Sequence, residues 1–549
     1  MKMKFLALSV ALALGGVAGT ANAAITVQQD GIGHSLVVPY FTTQSGQHTY
    51  LNIVNTDTTN GKAVKVRFRG ALDSDDIFDF QVFLSPGDVW VADVQPTPDG
   101  KGTALFTTDN SCTLPKNVGK DWTQVSGVWN PGVNSTFVTA RLKKDDPIGV
   151  KEGYVEIFNM ADIPSGSDLY DAIKHKADGT VDCTGSDNAV DGVVGAIERN
   201  NHVTNTELAA PTPTLFGNWV ILNTADNSAY SAWATAFEAD NADGGTRIVY
   251  SAQSNARVTT ATDSIVGREF GSGTISSDPA NGDYGLRATA DAVLLQAATL
   301  VRAAKYDFPD MSTPYEVGTD LSTDQAINLS NALLRTATTG EFMSDAADGV
   351  VLATDWVFSQ PTRRYHVAGR GGVYAFGNNA TVTSGLTLDL TGPYDVADLV
   401  TFADDGHGAC VRVGDYTPYD RSERTTEGGS SEIVVSPSVP GTTAEIHLCN
   451  EVGVISLNSP GAATGVLKSP NSTVAIGAKG YAGSINVTFS PATLTKTGWA
   501  TLSLVAPITG AYGLPLLGQQ FSKYVAGANA SAAGYGTNYD HRFTPGAPL

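Results

Sequence analysis

Charge is scarce in this chain. Charged residues fill 16% of its 549 positions, well under the usual quarter. The charge present is one-sided, with 34 basic residues against 55 acidic ones and a formal net charge of −21. That balance resists binding to phosphate backbones and anionic lipid heads, so no nucleic-acid partner is expected and direct lipid contact is a poor fit. Long apolar runs are missing too. No stretch reaches the roughly 18 uninterrupted apolar residues of a transmembrane helix.

Cysteine is sparse, and the four present are Cys112, Cys183, Cys410 and Cys449. None forms a C-x-x-C pair, which argues against a metal site. An even count suits disulfides in an exported chain, and four cysteines allow three connectivities. The residues fall into two distant groups, so Cys112–Cys183 and Cys410–Cys449 is the simplest pairing, although cross-pairing stays open. The eight histidines are scattered without metal-ligand spacing. There is no G-x-S-x-G elbow, no H-E-x-x-H, no phosphate-binding P-loop and no full EF-hand loop. Near the mature start, Gly33-His34-Ser35 runs into Leu36-Val37 and forms no elbow. His34 reads as a strand-end or surface histidine. The motifs therefore name no catalytic residue and no certain cofactor, and a site built from distant residues escapes such a search.

What the chain has begins at its first residue. Lys2 and Lys4 precede an uncharged apolar core from Phe5 to Val17, and Ala21-Asn22-Ala23 is an A-x-A site. This predicts a signal peptide over 1–23, cleaved between Ala23 and Ala24. Cleavage would remove Lys2 and Lys4 and no acid, taking the formal charge from −21 to −23. No cysteine follows the apolar core, which speaks against a lipid anchor. The expected location is extracellular or on the cell surface, after export across the inner membrane.

The rest reads as mainly β, with antiparallel sandwich-like regions and a few short helices in a mixed central segment. Leu51 and Ile53 alternate with Tyr50, Asn52 and Val54; Val64, Val66 and Phe68 alternate with Lys65, Arg67 and Arg69. The second pattern predicts a strand with one dry and one wet face. Phe78, Phe80 and Val82 continue it, and Ser85-Pro86-Gly87-Asp88 is a turn before another strand over 89–94. Ser167-Asp168 opens a short helix with Leu169 and Ile173 on one face. Further helices are expected over 291–304, and after the Ser322-x-x-Gln325 capping box, where Ala326, Leu329 and Leu333 share a face before Gly340. Strands return at Ile446–Leu448, Ile485–Phe489 and Trp499–Val505. The expected regions are an N-terminal β-sandwich over 24–215, a mixed segment over 216–365 and a β-rich region over 366–549.

Three sets of residues carry candidate chemistry. Asp73, Asp75, Asp76 and Asp79 crowd one segment; Asp240 and Asp243, and Asp404-Asp405-Gly406, resemble it. Calcium takes six to eight oxygens, so these are its candidate sites, against the plainer reading of solvated acidic loops. In the run from Tyr416 to Arg424, Asp420 and Glu423 form a candidate carboxylate pair for glycoside hydrolysis, against a structural ion-pair network. Trp90, Trp219, Trp233, Trp356 and Trp499 lie in β-like stretches, as core residues or as platforms for sugar rings.

Four blocks, SLVVPYFTTQSGQHTYLNIVNTD (35–57), DWVFSQPTRRYHV (355–367), YDRSE (419–423) and GLPLLGQQF (513–521), resemble a family of secreted Gram-negative proteins known only as cell surface proteins. The resemblance spans nearly the whole mature chain. It implies an exterior location and a structural role, and carries no catalytic residues over. The expected function is an exported surface protein, as a self-assembling surface-layer component held by copies of itself or by envelope glycans. The rivals are a carbohydrate-binding or adhesive module and a secreted hydrolase.

Overall fold

The computed structural model describes residues 25–239, apart from 72–73, 75, 140–146, 200–205 and 226. Beyond them it describes 302–303, 315–316, 329–343, 346–347, 350–363, 399–401, 409–414, 416–420, 446–448, 450–457, 466–469, 497–505, 513–526 and 534–546. The predicted signal peptide and the strand at 485–489 lie outside these residues, as does the helix expected at 291–304 except for Arg302–Ala303, which is a short strand paired with Tyr315–Glu316 and not helix.

The described residues are mainly β, as the alternation predicts. The first part contains β1 (Ile25–Gln28), β2 (Ile32–Gly33), β3 (Ser35–Thr42), β4 (His48–Asn55), β5 (Gly61–Gly70), β6 (Asp76–Leu84) and β7 (Val89–Pro96). There follow β8 (Thr103–Phe106), β9 (Cys112–Leu114), β10 (Trp122–Val125), β11 (Val128–Pro131) and β12 (Glu152–Ile163). Last come α1 (Asp168–Ile173), α2 (Val190–Arg199), β13 (Leu215–Asn223), β14 (Ser228–Trp233) and β15 (Thr235–Ala239). These strands build two facing sheets. The first runs β1-β15-β3-β12-β5-β6-β9 and the second β14-β13-β4-β7-β8, with β2 also on β13. Every ladder between them is antiparallel.

The period of two sets the core. Leu51, Ile53, Trp90, Val94, Trp219 and Ile221 of the second sheet face Val64, Val66, Phe68 and Phe80 of the first, all in one buried cluster. The sandwich reaches past the boundary expected at 215, because β13, β14 and β15 belong to its two sheets. Strands so distant in sequence pair through long connections that local periodicity does not reveal.

The strand β5 departs from its expected wet face, because all ten of its residues are buried. Cross-strand charge matching allows this. Lys65 and Arg67 reach Asp79 at 3.1 and 3.2 Å, and Arg69 reaches Glu156 at 3.3 Å. A buried charge is tolerable only when it is paired.

A smaller cluster lies under α1 and α2, with Ile163, Leu169, Ile173, Val190 and Val194 packed near Cys112. Ser167 caps α1 as predicted, its hydroxyl accepting from the Tyr170 amide at 3.1 Å. The Cys112–Cys183 disulfide closes this region. Cys410 lies in the strand Ala409–Val413, whereas Cys449 falls outside the described residues. Val411, next to Cys410, pairs with Leu448, next to Cys449.

The later strands form further antiparallel sheets. One orders Tyr416–Asp420, Thr497–Ser503, Leu334–Met343 and Leu514–Pro515. Another orders Ala346–Ala347, Val350–Ser359, Leu517–Ala526 and Gly534–Asp540, with Val452–Ser456 on Val350–Ser359. The helix expected after the capping box appears at 329–333 and gives way to strand at Leu334. Gly340 is therefore a strand residue. A Cβ there would lie 2.6 Å from Gln520 Oε1 and 2.8 Å from Trp356 Cζ2.

The two parts share one core. Phe521 sits 6.2 Å from the Tyr40 ring, 6.2 Å from Trp219 and 5.4 Å from Tyr230. A clasp reinforces the seam. The Leu467 amide donates to Asp355 at 2.8 Å, while its carbonyl accepts from Gln47 Nε2 at 2.7 Å. Ser469 donates to Glu152 at 2.9 Å, and Tyr40 donates to the other oxygen of Glu152 at 2.9 Å. At the sheet edges, Gly536 passes so close to β14 that a Cβ would meet Ala229 O at 2.8 Å.

Candidate functional site

The outer face of the second sheet presents aromatic, carboxamide and carboxylate side chains side by side. Alternation fixes which residues it presents. Along β4, Leu51 and Ile53 point into the core, while His48, Tyr50, Asn52 and Val54 point outward. Along β7, β13 and β14 the outward sets are Val89, Val91 and Asp93; Phe216, Asn218, Val220 and Leu222; and Ala229, Ser231 and Trp233.

Register brings these residues together across the sheet. Trp233 pairs with Asn218, Asn218 with Asn52, and Asn52 with Val91, forming one row over four strands. Asn52 Nδ2 donates to Asn218 Oδ1. In the next row Tyr50 lies between Val220 and Asp93. The His48 ring stacks near Tyr50, with centroids 6.3 Å apart, and its Nδ1 lies 3.0 Å from Asp93 Oδ2. Partial burial pushes the Tyr50 hydroxyl pKa up, and the Asp93 carboxylate adds to the shift. At the other end, Phe216 meets the Trp233 ring edge to face at 5.9 Å.

The tryptophans separate into two groups. Trp90, Trp219 and Trp356 are fully buried, as the core reading expects, while Trp233 is 61% and Trp499 42% exposed. Trp499 lies flat against Tyr419 at 4.3 Å. Sequence could not separate them. Trp233 falls on the outward phase of its strand, but only the partner strand Leu215–Asn223 fixes which phase is outward.

The acidic residues do not gather into a cation site in the described part. Asp73 and Asp75 lie outside the described residues, and Asp76 and Asp79 belong to β6. Asp79 is neutralised by Lys65 and Arg67, so the uncompensated carboxylate density expected there is absent at that residue. Asp240, Asp243, Asp404, Asp405 and Glu423 lie outside the described residues, which leaves the Asp420–Glu423 pair without a geometry. Among the described residues, no group of three or more metal-ligating side chains converges. His34 sits at a strand end, between β2 and β3, as expected, but is buried beside Lys62 and not on the surface; burial, then the lysine charge, lowers its pKa to about 4.

Sequence reasoning missed one further set of functional groups, the buried carboxylates at the seam. Asp355 is fully enclosed, and burial raises its pKa to about 6 against hydrogen bonds from the Leu467 and Val466 amides and the Ser456 hydroxyl. Glu152 joins the two parts directly through Tyr40 and Ser469, and Asp355 anchors Leu467, whose carbonyl accepts from Gln47. No helix among the described residues is long and apolar enough to cross a membrane. No protein-family model matches the chain, and neither does any curated protein or solved structure.

Proposed function

We propose that the chain is an exported surface protein that works by contact, through the open face of its second sheet. The observation that carries this reading is the face itself. It spans four strands, holds an exposed tryptophan and tyrosine, and is built on strands fully packed beneath. Exposed aromatic patches of this kind mark interaction surfaces. The signal-like N-terminus and the resemblance to secreted surface proteins support the same reading. Cell fractionation with N-terminal sequencing tests it. The envelope or extracellular fraction should hold a chain beginning at Ala24. A chain that stays in the cytoplasm with Met1 intact would overturn it, as would purified protein that turns over a polysaccharide or peptide.

A second reading, assembly with copies of itself, is favoured by the β10–β11 hairpin. It carries no charge from Trp122 to Val133 and exposes Val125, Val128, Trp129 and Val133. Sedimentation of the purified chain and of Trp129→Ala distinguishes this reading: a self-associating wild type and a monomeric variant would support it.

A further inference from the structure

We infer that the outer face of the second sheet binds a neutral polysaccharide, with Tyr50 and Trp233 as stacking platforms and Asn52, Asn218 and Asp93 as the hydrogen-bonding groups between them. This rests on the reading that the protein works by surface contact, and it names the partner.

Spacing is the first argument. Trp233 lies two strands across from Asn52, and Tyr50 lies two residues along β4 from Asn52 on the same face. With strands about 4.8 Å apart and a rise of about 3.4 Å per residue, the two ring positions are about 12 Å apart. That suits an extended chain of sugar rings and is too long for a single small ligand to bridge.

Chemistry is the second. A pyranose ring has an apolar C–H face and a rim of hydroxyls. Its face packs on an aromatic ring, whose electron-rich surface attracts polarised C–H groups. Its hydroxyls need donors and acceptors side by side, and a carboxamide supplies both. The bond from Asn52 Nδ2 to Asn218 Oδ1 fixes the two amides against each other. It leaves Asn52 Oδ1 as an acceptor and the Asn218 amide nitrogen as a donor. Asp93, held by His48, adds an anchored acceptor next to Tyr50.

Charge is the third and decides the ligand's type. The strands β4, β7, β13 and β14 contain no lysine and no arginine. A polyanion would find no lysine or arginine on these four strands and would meet Asp93 within a chain of net −21. An acidic glycan, a lipid phosphate and a nucleic acid are all disfavoured, while a neutral glycan loses nothing. The platform is also preorganised. Leu51, Ile53, Trp90, Trp219 and Ile221 lock the strands from beneath, so little ordering is needed on binding.

The test is affinity electrophoresis of the mature chain in gels containing hydroxyethyl cellulose, xyloglucan, glucomannan or dextran, with polygalacturonate as the acidic control. At least one neutral polymer should retard the protein, and polygalacturonate should not. Tyr50→Ala and Trp233→Ala should each weaken retardation by about tenfold. Trp233→Phe should restore most of it, and Trp129→Ala and Trp499→Ala should leave it unchanged. Thermal midpoints equal to wild type show that the variants fold. Retardation by no neutral polymer overturns the inference, as does retardation that both alanine variants retain or by polygalacturonate alone. So does a wild-type dimer that Trp233→Ala dissociates, because the face would then contact a second copy. Each of these outcomes with the protein still in the envelope fraction removes the glycan and keeps the contact reading; protein confined to the cytoplasm removes the contact reading itself.

Discussion

Replacing Asp355 by asparagine should stabilise the protein at neutral pH. The carboxyl group lies in the strand Val350–Ser359 with no exposed surface. Three hydrogen bonds favour its charged form, yet burial outweighs them and lifts its pKa from 3.8 to about 6. A folded-state pKa raised above the unfolded value means that the folded chain holds its proton more tightly. The group's contribution is therefore full below pH 3.8 and is lost as pH rises through about 6. A shift of that size corresponds to about 3 kcal/mol, which the ionised group costs the folded state at pH 7 and above. Asparagine keeps the shape and an oxygen for the Leu467 amide, and the Ser456 hydroxyl can rotate to accept from the new NH2. Urea denaturation of wild type and Asp355→Asn between pH 4 and pH 8 measures the difference. Wild type should match the variant near pH 4, fall behind it progressively up to about pH 6, and keep a constant deficit above that. Buried histidines tilt both curves equally, so subtraction isolates Asp355. A variant less stable than wild type at pH 8, with an unchanged pH slope, would refute the reasoning; the hydrogen bonds to the ionised form would then outweigh its desolvation.

Three other perturbations follow from the same physics. His541 is buried, stacked on Phe358 at 4.6 Å, and bonded through Nε2 to the Val357 carbonyl at 2.9 Å. Burial lowers its pKa to about 3, so its contribution is present above pH 6.5 and lost as pH falls toward 3, up to about 5 kcal/mol; His541→Gln should flatten that acid loss in denaturation curves. Breaking Cys112–Cys183, which closes a 71-residue separation, with Cys112→Ser and Cys183→Ser together should cost about 4 kcal/mol, read as a lowered urea midpoint, and non-reducing peptide mapping of wild type should also find Cys410 joined to Cys449. Phe521→Ala should cost about 3–5 kcal/mol and lower one cooperative transition reported by both Trp219 and Trp356, since Phe521 packs on Trp219 across the seam; two separate transitions would show that the parts fold independently.

Much of the sandwich was legible because alternation is local. Leu51 with Ile53 and Phe78 with Phe80 announced strands whose inward residues are buried as expected. The Ser167 cap was legible for the same reason: its bond spans three residues. What stayed hidden depends on distant partners. Arg69 looked solvated because Glu156, which neutralises it, lies 87 residues away, whereas Lys65 and Arg67 looked solvated because only the β5–β6 register sets Asp79 against them. Only half of the contact face could be read. Tyr50 and Asn52 alternate visibly with Leu51, but Asn218 joins them from 166 residues away. The helix α2 went unpredicted, since its short apolar stripe of Val190, Val193 and Val194 is interrupted by Gly192.

The shared core also sets a clock on synthesis. A chain emerges from its N-terminus, and the last sandwich strand, β15, is complete at Ala239. The ring that fills the space between Tyr40, Trp219 and Tyr230 belongs to Phe521. At about 5–20 residues per second, tens of seconds separate the two. Throughout that interval a nearly finished sandwich carries an open apolar socket and unpaired strand edges, the features that invite premature association. Folding of the first half is thus bound to delivery of the second, and a chain cut short before Phe521 would leave the socket between Tyr40, Trp219 and Tyr230 open to water.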